Sequence, residues 1–228
     1  MIAILYALDD EVAGLHQLII GASSVDHPWA PIIKGSINNR EVFLVKSGAS
    51  KVYSSVTAQS IIEKYSPSGL ILCGVSGALN PTYKRGDLVV GTEFIQHDID
   101  ATKLGFLLGQ IPFTDYRSVR PHQRDLSSFA EFTLPENSVH FGSVISGDQF
   151  IDGDAGQRLR EVLQADVVDM ESAAIALTCS LNRIPFIVAR TISDSANEDA
   201  GVDFTSFLPV ASRHVTSFVQ YALTHCFQ

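Results

Sequence analysis

Short apolar runs alternate with amphipathic segments along almost the whole chain, and this alternation restricts the fold more than any other feature. IAILYAL near the start, EVFLVKS (41–47), GLILCGV (69–75), DLVVGTEFI (87–95), SVHFGSVIS (138–146) and PFIVARTIS (185–193) are strand-length and rich in β-branched residues. Between or after them, DDEVAGLHQLI, SKVYSSVTAQSIIEKY, AGQRLREVLQ, MESAAIALTCSLN and FTSFLPVASRHVTSFVQYAL carry apolar residues at helical spacing. A strand–helix alternation of this kind predicts an α/β fold, a three-layer α/β/α sandwich with a central mixed β-sheet. The 228 residues suit one large domain spanning 1–228 rather than two. The Pro- and polar-rich stretch from Pro112 to Asn137 reads as a long connection with at most a short helix, not as an interdomain linker.

Composition narrows the partners. Hydrophobic residues make up 46% of the chain and charged ones 18%, enough apolar material for a well-buried interior. The net charge of −9, with no cluster of Lys and Arg, argues against nucleic acid or an anionic membrane surface and leaves small molecules or proteins. Cys73, Cys179 and Cys226 lie far apart, without a C-x-x-C or a His at ligand spacing, as expected of core thiols in a reducing compartment. The N-terminal MIAILYALDDEV has no basic leader and reaches acids after one strand-length run, so neither a signal peptide nor a membrane span is expected, and the protein is expected to be cytoplasmic.

Ligands of α/β folds gather where strands end, so polar residues at those points are the candidates. They are Asp9, Asp10 and Glu11, then Ser47 and Gly48, then Ser76 and Gly77, then Gly147, Asp148 and Phe150, and finally Ser193 and Asp194. The stretch VVDMESAAIALT adds two carboxylates, Asp169 and Glu171, to an otherwise core-like run. A charge withdrawn from water is costly unless it is paired, hydrogen-bonded or used on a ligand. Each candidate also has a purely structural reading. Asp169 and Glu171 could cap a helix and complement its dipole, Glu11 could be a surface acid in a first helical turn, and Asp194 could close an Asx turn. KSGASK and CGVSGALN could be tight strand-to-helix turns, and neither matches a nucleotide-phosphate motif. Ser76 lacks the G-x-S-x-G frame of a serine hydrolase. His97, Asp98 and Asp100 form no complete ligand set, so a locally hydrogen-bonded loop is expected there and no metal or other cofactor.

Taken in series, IAILYALDDEV, KSGASKV, GLILCGVSGALNPTYKRGDLVV, HDID with LGFLLGQIP, ISGDQFI, VVDMESAAIA and ARTISDSANED resemble the 5′-methylthioadenosine/S-adenosylhomocysteine nucleosidase branch of the purine nucleoside phosphorylase superfamily, in its order and at about its spacing. The resemblance covers nearly the whole chain, and SGDQFI, DMES and TISDSAN together are highly specific. It implies a nucleoside phosphorylase-like fold and hydrolysis of the N-glycosidic bond of 5′-thio-substituted adenosines to adenine and a 5′-thioribose, with 5′-deoxyadenosine or aminofutalosine-type nucleosides as further substrates. Carried over by position, Asp194 protonates N7 of the leaving adenine, Ser193 orients it and Glu11 activates water. Glu171 holds the ribose diol, Met170 packs under the sugar, Phe150 stacks on the purine and the Ile151 backbone reads its amino edge. Ser76 and Arg190 belong to the same pocket, and Leu8 and Phe204 are apolar walls at its 5′ end. The family commonly has Glu where Asp169 stands, which leaves a helix cap as that residue's alternative role. It usually carries bulkier side chains at Ala49, Ala101 and Leu104, so an enlarged 5′ end is expected. Family members are homodimers in which a loop matching LGFLLGQIP, with Phe106 and Pro112, closes the other subunit's pocket.

Two other readings follow from the same residues. A phosphorylase would need cationic side chains for phosphate, whereas the first strand here opens into three acids, which repel an anion. A nucleoside-binding protein without turnover would not need the acid set of Glu11, Glu171 and Asp194. Fold-level analogy alone would not decide between them.

Overall fold

A computed structural model describes residues 1–122, 126–194 and 200–227, with side chains omitted for 200–206. Nine strands form one mixed sheet: β1 (Ile2–Tyr6), β2 (Ile20–Val25), β3 (Ile32–Ile37), β4 (Arg40–Lys46), β5 (Gly69–Ala78), β6 (Leu88–Gln96), β7 (Val139–Ser146), β8 (Val167–Asp169) and β9 (Phe186–Asp194). The helices are α1 (Ala13–Leu18), α2 (Lys51–Tyr65), α3 (Gly153–Leu163), α4 (Ser172–Leu181) and α5 (Ala200–His225). The sheet order is β2-β3-β4-β1-β5-β8-β7-β6-β9, and β9 pairs back onto β5. That last pairing rolls the second half of the expected mixed sheet into a closed ring of β5, β8, β7, β6 and β9. Closure removes the free edge that an open sheet would leave there.

Strands β1, β4, β5 and β9 are mutually parallel through the pairs β1–β4, β1–β5 and β5–β9, so their carboxyl ends lie along one edge. Each is apolar on both faces because helices cover both faces. On one side Ala3, Leu5, Phe43, Leu70, Leu72 and Val188 pack with Ile61 of α2 and Ile175 of α4. On the other, Ile4, Leu44, Ile71, Cys73 and Ile187 pack with Leu15 of α1 and with Val215, Phe218 and Ala222 of α5. Burying a side chain of this size contributes roughly 1.5–3 kcal/mol, and this two-sided clamp fixes the sheet edge on which the polar strand ends stand. The three cysteines are buried thiols.

Three strands were not anticipated. β2 and β3 pair antiparallel at the open edge, where β2 is largely exposed and polar, and β8 spans only three residues. DDEVAGLHQLI is not one helix: Asp9–Val12 form a 3-10 turn before α1. The turn swings Glu11 inward, where it is 2% exposed, while Asp9 and Asp10 remain exposed. The segment after Pro112 contains no strand or helix long enough to form a layer among its described residues, as expected of a connection. No helix of the described residues is long and apolar enough to cross a membrane.

Candidate active site

A cavity of about 170 Å³ opens at the shared carboxyl edge. Ala7, Leu8 and Glu11 line it from the end of β1, and Ala49 from the end of β4. Val75, Ser76 and Gly77 come from β5, Gln149, Phe150 and Ile151 from beyond β7, and Val168 to Glu171 from β8 and its turn. Ser193 and Asp194, at the end of β9, complete the wall. Four carboxylates face this space, and no Lys or Arg lines it among the described residues.

Glu11 is held by backbone. Its Oε2 accepts hydrogen bonds from the N–H groups of Ala7 (3.0 Å) and Leu8 (2.8 Å), and its Oε1 accepts one from Val75 (3.0 Å). Burial pushes its pKa up, while the Arg190 charge and these three donors pull it down, leaving it above the usual carboxylate range. A carboxylate that is locked in place yet proton-hungry has the properties of a general base.

Arg190 lies behind the cavity floor rather than in its lining and is 1% exposed. Its Nε lies 2.7 Å from Asp169 Oδ2 and donates to Ser172 Oγ at 3.0 Å, while Nη2 reaches Glu171 Oε2 at 3.3 Å. Nη1 has no hydrogen-bond partner among the described residues, and neither has the buried hydroxyl of Ser76. Gly74 makes room for this arrangement: a Cβ there would stand 2.5 Å from both Arg190 Nη1 and Glu11 Oε1. The two groups therefore cross the β5 backbone at a place where only hydrogen fits.

Glu171, 5% exposed, also accepts the Ser50 N–H on Oε1 at 3.1 Å. Its pKa is pushed up to about 7, chiefly by burial and further by the charges of Asp169 and Glu11, against the pull of Arg190 and the Ser50 amide. Asp169 lines the cavity but spends its oxygens on protein groups. Oδ1 accepts from the Ser146 hydroxyl and from the N–H groups of Glu171 (3.2 Å) and Ser172 (3.1 Å), and Oδ2 accepts from the Ser172 hydroxyl and pairs with Arg190. Asp169 thus caps the start of α4 and anchors the arginine, and the two acids bracketing Met170 have different duties.

At the other end, the β5–β9 register slips between Ser76 and Gly77, which pair with Ile192 and Asp194 respectively and leave Ser193 as the extra residue. Such a bulge re-aims side chains and terminates pairing. Here it turns both polar groups inward: Ser193 Oγ donates to Asp194 Oδ2 at 2.7 Å and is also 3.3 Å from the Ser76 carbonyl, and Asp194 is 3% exposed. Since β1 and β9 flank β5 on opposite sides, Glu11 and Asp194 approach the cavity from opposite sides of one strand.

Most of the candidates from the sequence thus meet in one place: Leu8, Glu11, Ala49, Ser76, Phe150, Ile151, Met170, Glu171, Ser193 and Asp194 line the cavity, with Arg190 behind it. Phe150 is about half exposed at the mouth, and Ile151 is buried. Phe106 and Pro112 do not line the cavity of their own chain; Phe106 packs edge-on against Phe113 at 5.2 Å, in a loop that exposes Leu104, Leu107 and Phe113. Ala101 and Leu104 are also outside the lining, and the side chain of Phe204 lies outside the described residues. Sequence reading missed Gln149, which lines the wall from within SGDQFI, and the amide of Ser50, whose role no side-chain pattern reveals. His97, Asp98 and Asp100 hold no metal geometry: no group of three or more His, Cys, Asp or Glu is placed to bind an ion among the described residues. Asp100 instead accepts from Thr102 within its own turn, as expected of a local loop.

Comparison with known proteins extends this picture. The sequence profile of the phosphorylase superfamily matches residues 1–224. The 5′-methylthioadenosine/S-adenosylhomocysteine nucleosidase of Staphylococcus haemolyticus is 36% identical over 224 residues, covering 96% of this chain and 97% of that protein. Among solved structures, the nucleosidase of the same name from Neisseria meningitidis, in complex with methylthio-immucillin-A, superposes with a TM-score of 0.92 at 29% identity over 97% of each chain. The futalosine hydrolase of Helicobacter pylori superposes with a TM-score of 0.90 at 27% identity, over 98% of this chain and 97% of that one.

Proposed function

Because the chain belongs to the phosphorylase superfamily and, within it, to the 5′-methylthioadenosine/S-adenosylhomocysteine nucleosidases, we propose that the acid-lined cavity hydrolyses N-glycosidic bonds with the residues that line it in the roles below. The enzyme cleaves 5′-methylthioadenosine and S-adenosylhomocysteine to adenine and the 5′-substituted ribose. The observation that carries the assignment of roles is the placement of Glu11 and Asp194 on opposite sides of β5, around one cavity that Glu171 also faces.

Adenine leaves poorly as an anion, so Asp194, with Ser193 Oγ fixing its carboxyl, gives a proton to N7 as the C1′–N9 bond breaks. Positive charge then builds on the ribose, an oxocarbenium-like state that ionised carboxylates stabilise. Water attacks C1′ from the other side while Glu11 removes its proton, and Arg190 Nη1 and Ser76 Oγ, which have no hydrogen-bond partner among the described residues, supply polar groups beside it. Each proton transfer is worth about 10²- to 10⁴-fold in rate. Glu171 accepts the 2′- and 3′-hydroxyls, Met170 packs beneath the sugar, and Phe150 stacks on the purine whose amino edge meets the Ile151 backbone. Leu8 and Ala49 form the 5′ end. The exposed apolar loop bearing Phe106 and Pro112 closes the same end of a second copy, making the working unit a homodimer.

Water is the nucleophile rather than phosphate. The arginine nearest the cavity already pairs its charge with Asp169 and Glu171, and the carboxylates of Glu11, Asp169 and Glu171 would repel an anion. Purified protein should release adenine from methylthioadenosine at the same rate with and without phosphate. Strict phosphate dependence would convert the assignment to a phosphorylase, and a parallel assay with an aminofutalosine-type nucleoside tests the second substrate class.

A further inference from the structure

The loop that carries His97, Asp98 and Asp100 does more than bond within itself. Asp98 does not line the cavity, yet its two carboxylate oxygens tie together the two walls that do. Oδ1 pairs with Lys51 Nζ, and Oδ2 accepts the Asp148 N–H at 3.0 Å. Asp148 in turn accepts the Lys51 N–H on Oδ1 at 2.7 Å, so Lys51, Asp98 and Asp148 close a three-residue ring. The Lys51 and Asp98 side chains are only 15% and 22% exposed, which spares the pair much of the screening that weakens surface ion pairs.

What this ring holds matters. On the α2 side the adjacent amide, Ser50 N–H, is the backbone donor to Glu171, and Ser50 sits at φ 85°, a conformation costly for a residue with a Cβ. On the β7 side Asp148 is followed directly by Gln149, Phe150 and Ile151, the purine-side wall. We propose that Asp98 is a positioning residue: through Lys51 and Asp148 it sets the Ser50 amide on Glu171 and the Phe150 loop over the purine at the same time. The inference rests on the nucleosidase reading above and adds to it a coupling between sugar and base recognition.

Asp98→Asn keeps the shape and removes the charge that holds Lys51. In adenine-release kinetics between about pH 5 and 9, KM should rise about tenfold with kcat within about threefold of wild type, since displaced positioning groups weaken binding before chemistry. Loss of the Ser50 donor should also move the acid limb of kcat/KM upward by about half a pH unit, because that hydrogen bond favours ionised Glu171. Asp148→Ala removes the acceptor of the Lys51 N–H, opens the ring from its other arm and should give the same KM shift, with the double variant little worse than either. Asp100→Asn, which alters a carboxylate that among the described residues is hydrogen-bonded within its own turn, should leave the kinetics unchanged. Wild-type KM and pH profile in Asp98→Asn, additive single effects, or an equal shift in Asp100→Asn would overturn the clamp while leaving the nucleosidase reading standing. Wild-type protein that releases no adenine would end both.

Discussion

Adding one carbon at Gly74 tests the placement of the base without touching any functional group. A Cβ there would stand 2.5 Å from Glu11 Oε1 and from Arg190 Nη1, and 3.0 Å from Glu11 Cδ. Comfortable contact begins near 3.4 Å, so one or both groups must retreat by about 1 Å, and a misplacement of that size costs about 10²-fold in rate. Neither group can move cheaply. Glu11 is pinned by three backbone donors and Arg190 by Asp169, Glu171 and Ser172. Overpacking of this kind costs about 1–3 kcal/mol, a drop of roughly 3–9 °C in melting temperature for a chain of this length. Phe150 and Ile151 stand on a separate wall beyond β7, so adenine binding should survive. The assay is steady-state adenine release by Gly74→Ala, run well below its melting temperature, together with equilibrium binding of adenine. The expected result is kcat down about 100-fold with adenine affinity within about threefold. A variant with near-normal kcat and an unchanged melting temperature would refute the claim that Glu11 and Arg190 are packed across this glycine to serve the chemistry.

Asp194→Asn should lose about 10²- to 10⁴-fold in turnover while still binding nucleoside, as expected when a general acid is removed but its shape is kept; equal loss of binding, or turnover that persists, would favour another proton donor. Glu171 gives a pH signature. Its pKa lies near 7, and a diol donates to the ionised form, so nucleoside affinity should strengthen as pH rises through about 7 and weaken below it. Because that pKa is raised in the fold, the same ionisation costs the ligand-free protein stability as pH climbs from the ordinary carboxylate value of 4.5 to about 7. Titration calorimetry with a ribose-bearing inhibitor across this window, repeated with Glu171→Gln, would show the dependence vanish in the variant; a persistent slope would place the titrating group elsewhere.

Much of this architecture was legible before any coordinates. Runs such as IAILYAL and GLILCGV are apolar at every position because both faces of β1 and β5 are covered, and that density marks an inner strand of an α/β sheet. β2, IGASSV, escaped because an exposed edge strand needs no apolar face, and β8 because three residues leave no periodicity to read. The start of DDEVAGLHQLI suits a helix in sequence because acids fit a first helical turn, yet the backbone amides of Ala7 and Leu8 offer Glu11 a better partner than solvent. Asp169 shows the same limit, since its cap geometry was anticipated but its bond to Arg190 spans two separate elements.

What the chain alone determined was the inventory: which strands are buried, and which acids stand at their ends, because burial and strand length are properties of consecutive residues. Tertiary structure decided what each acid is for. The duty of a carboxylate depends on the partners brought to it from distant segments, so Glu171 and Asp169, two residues apart, part company only once Arg190 of β9 and the Ser50 amide arrive beside them.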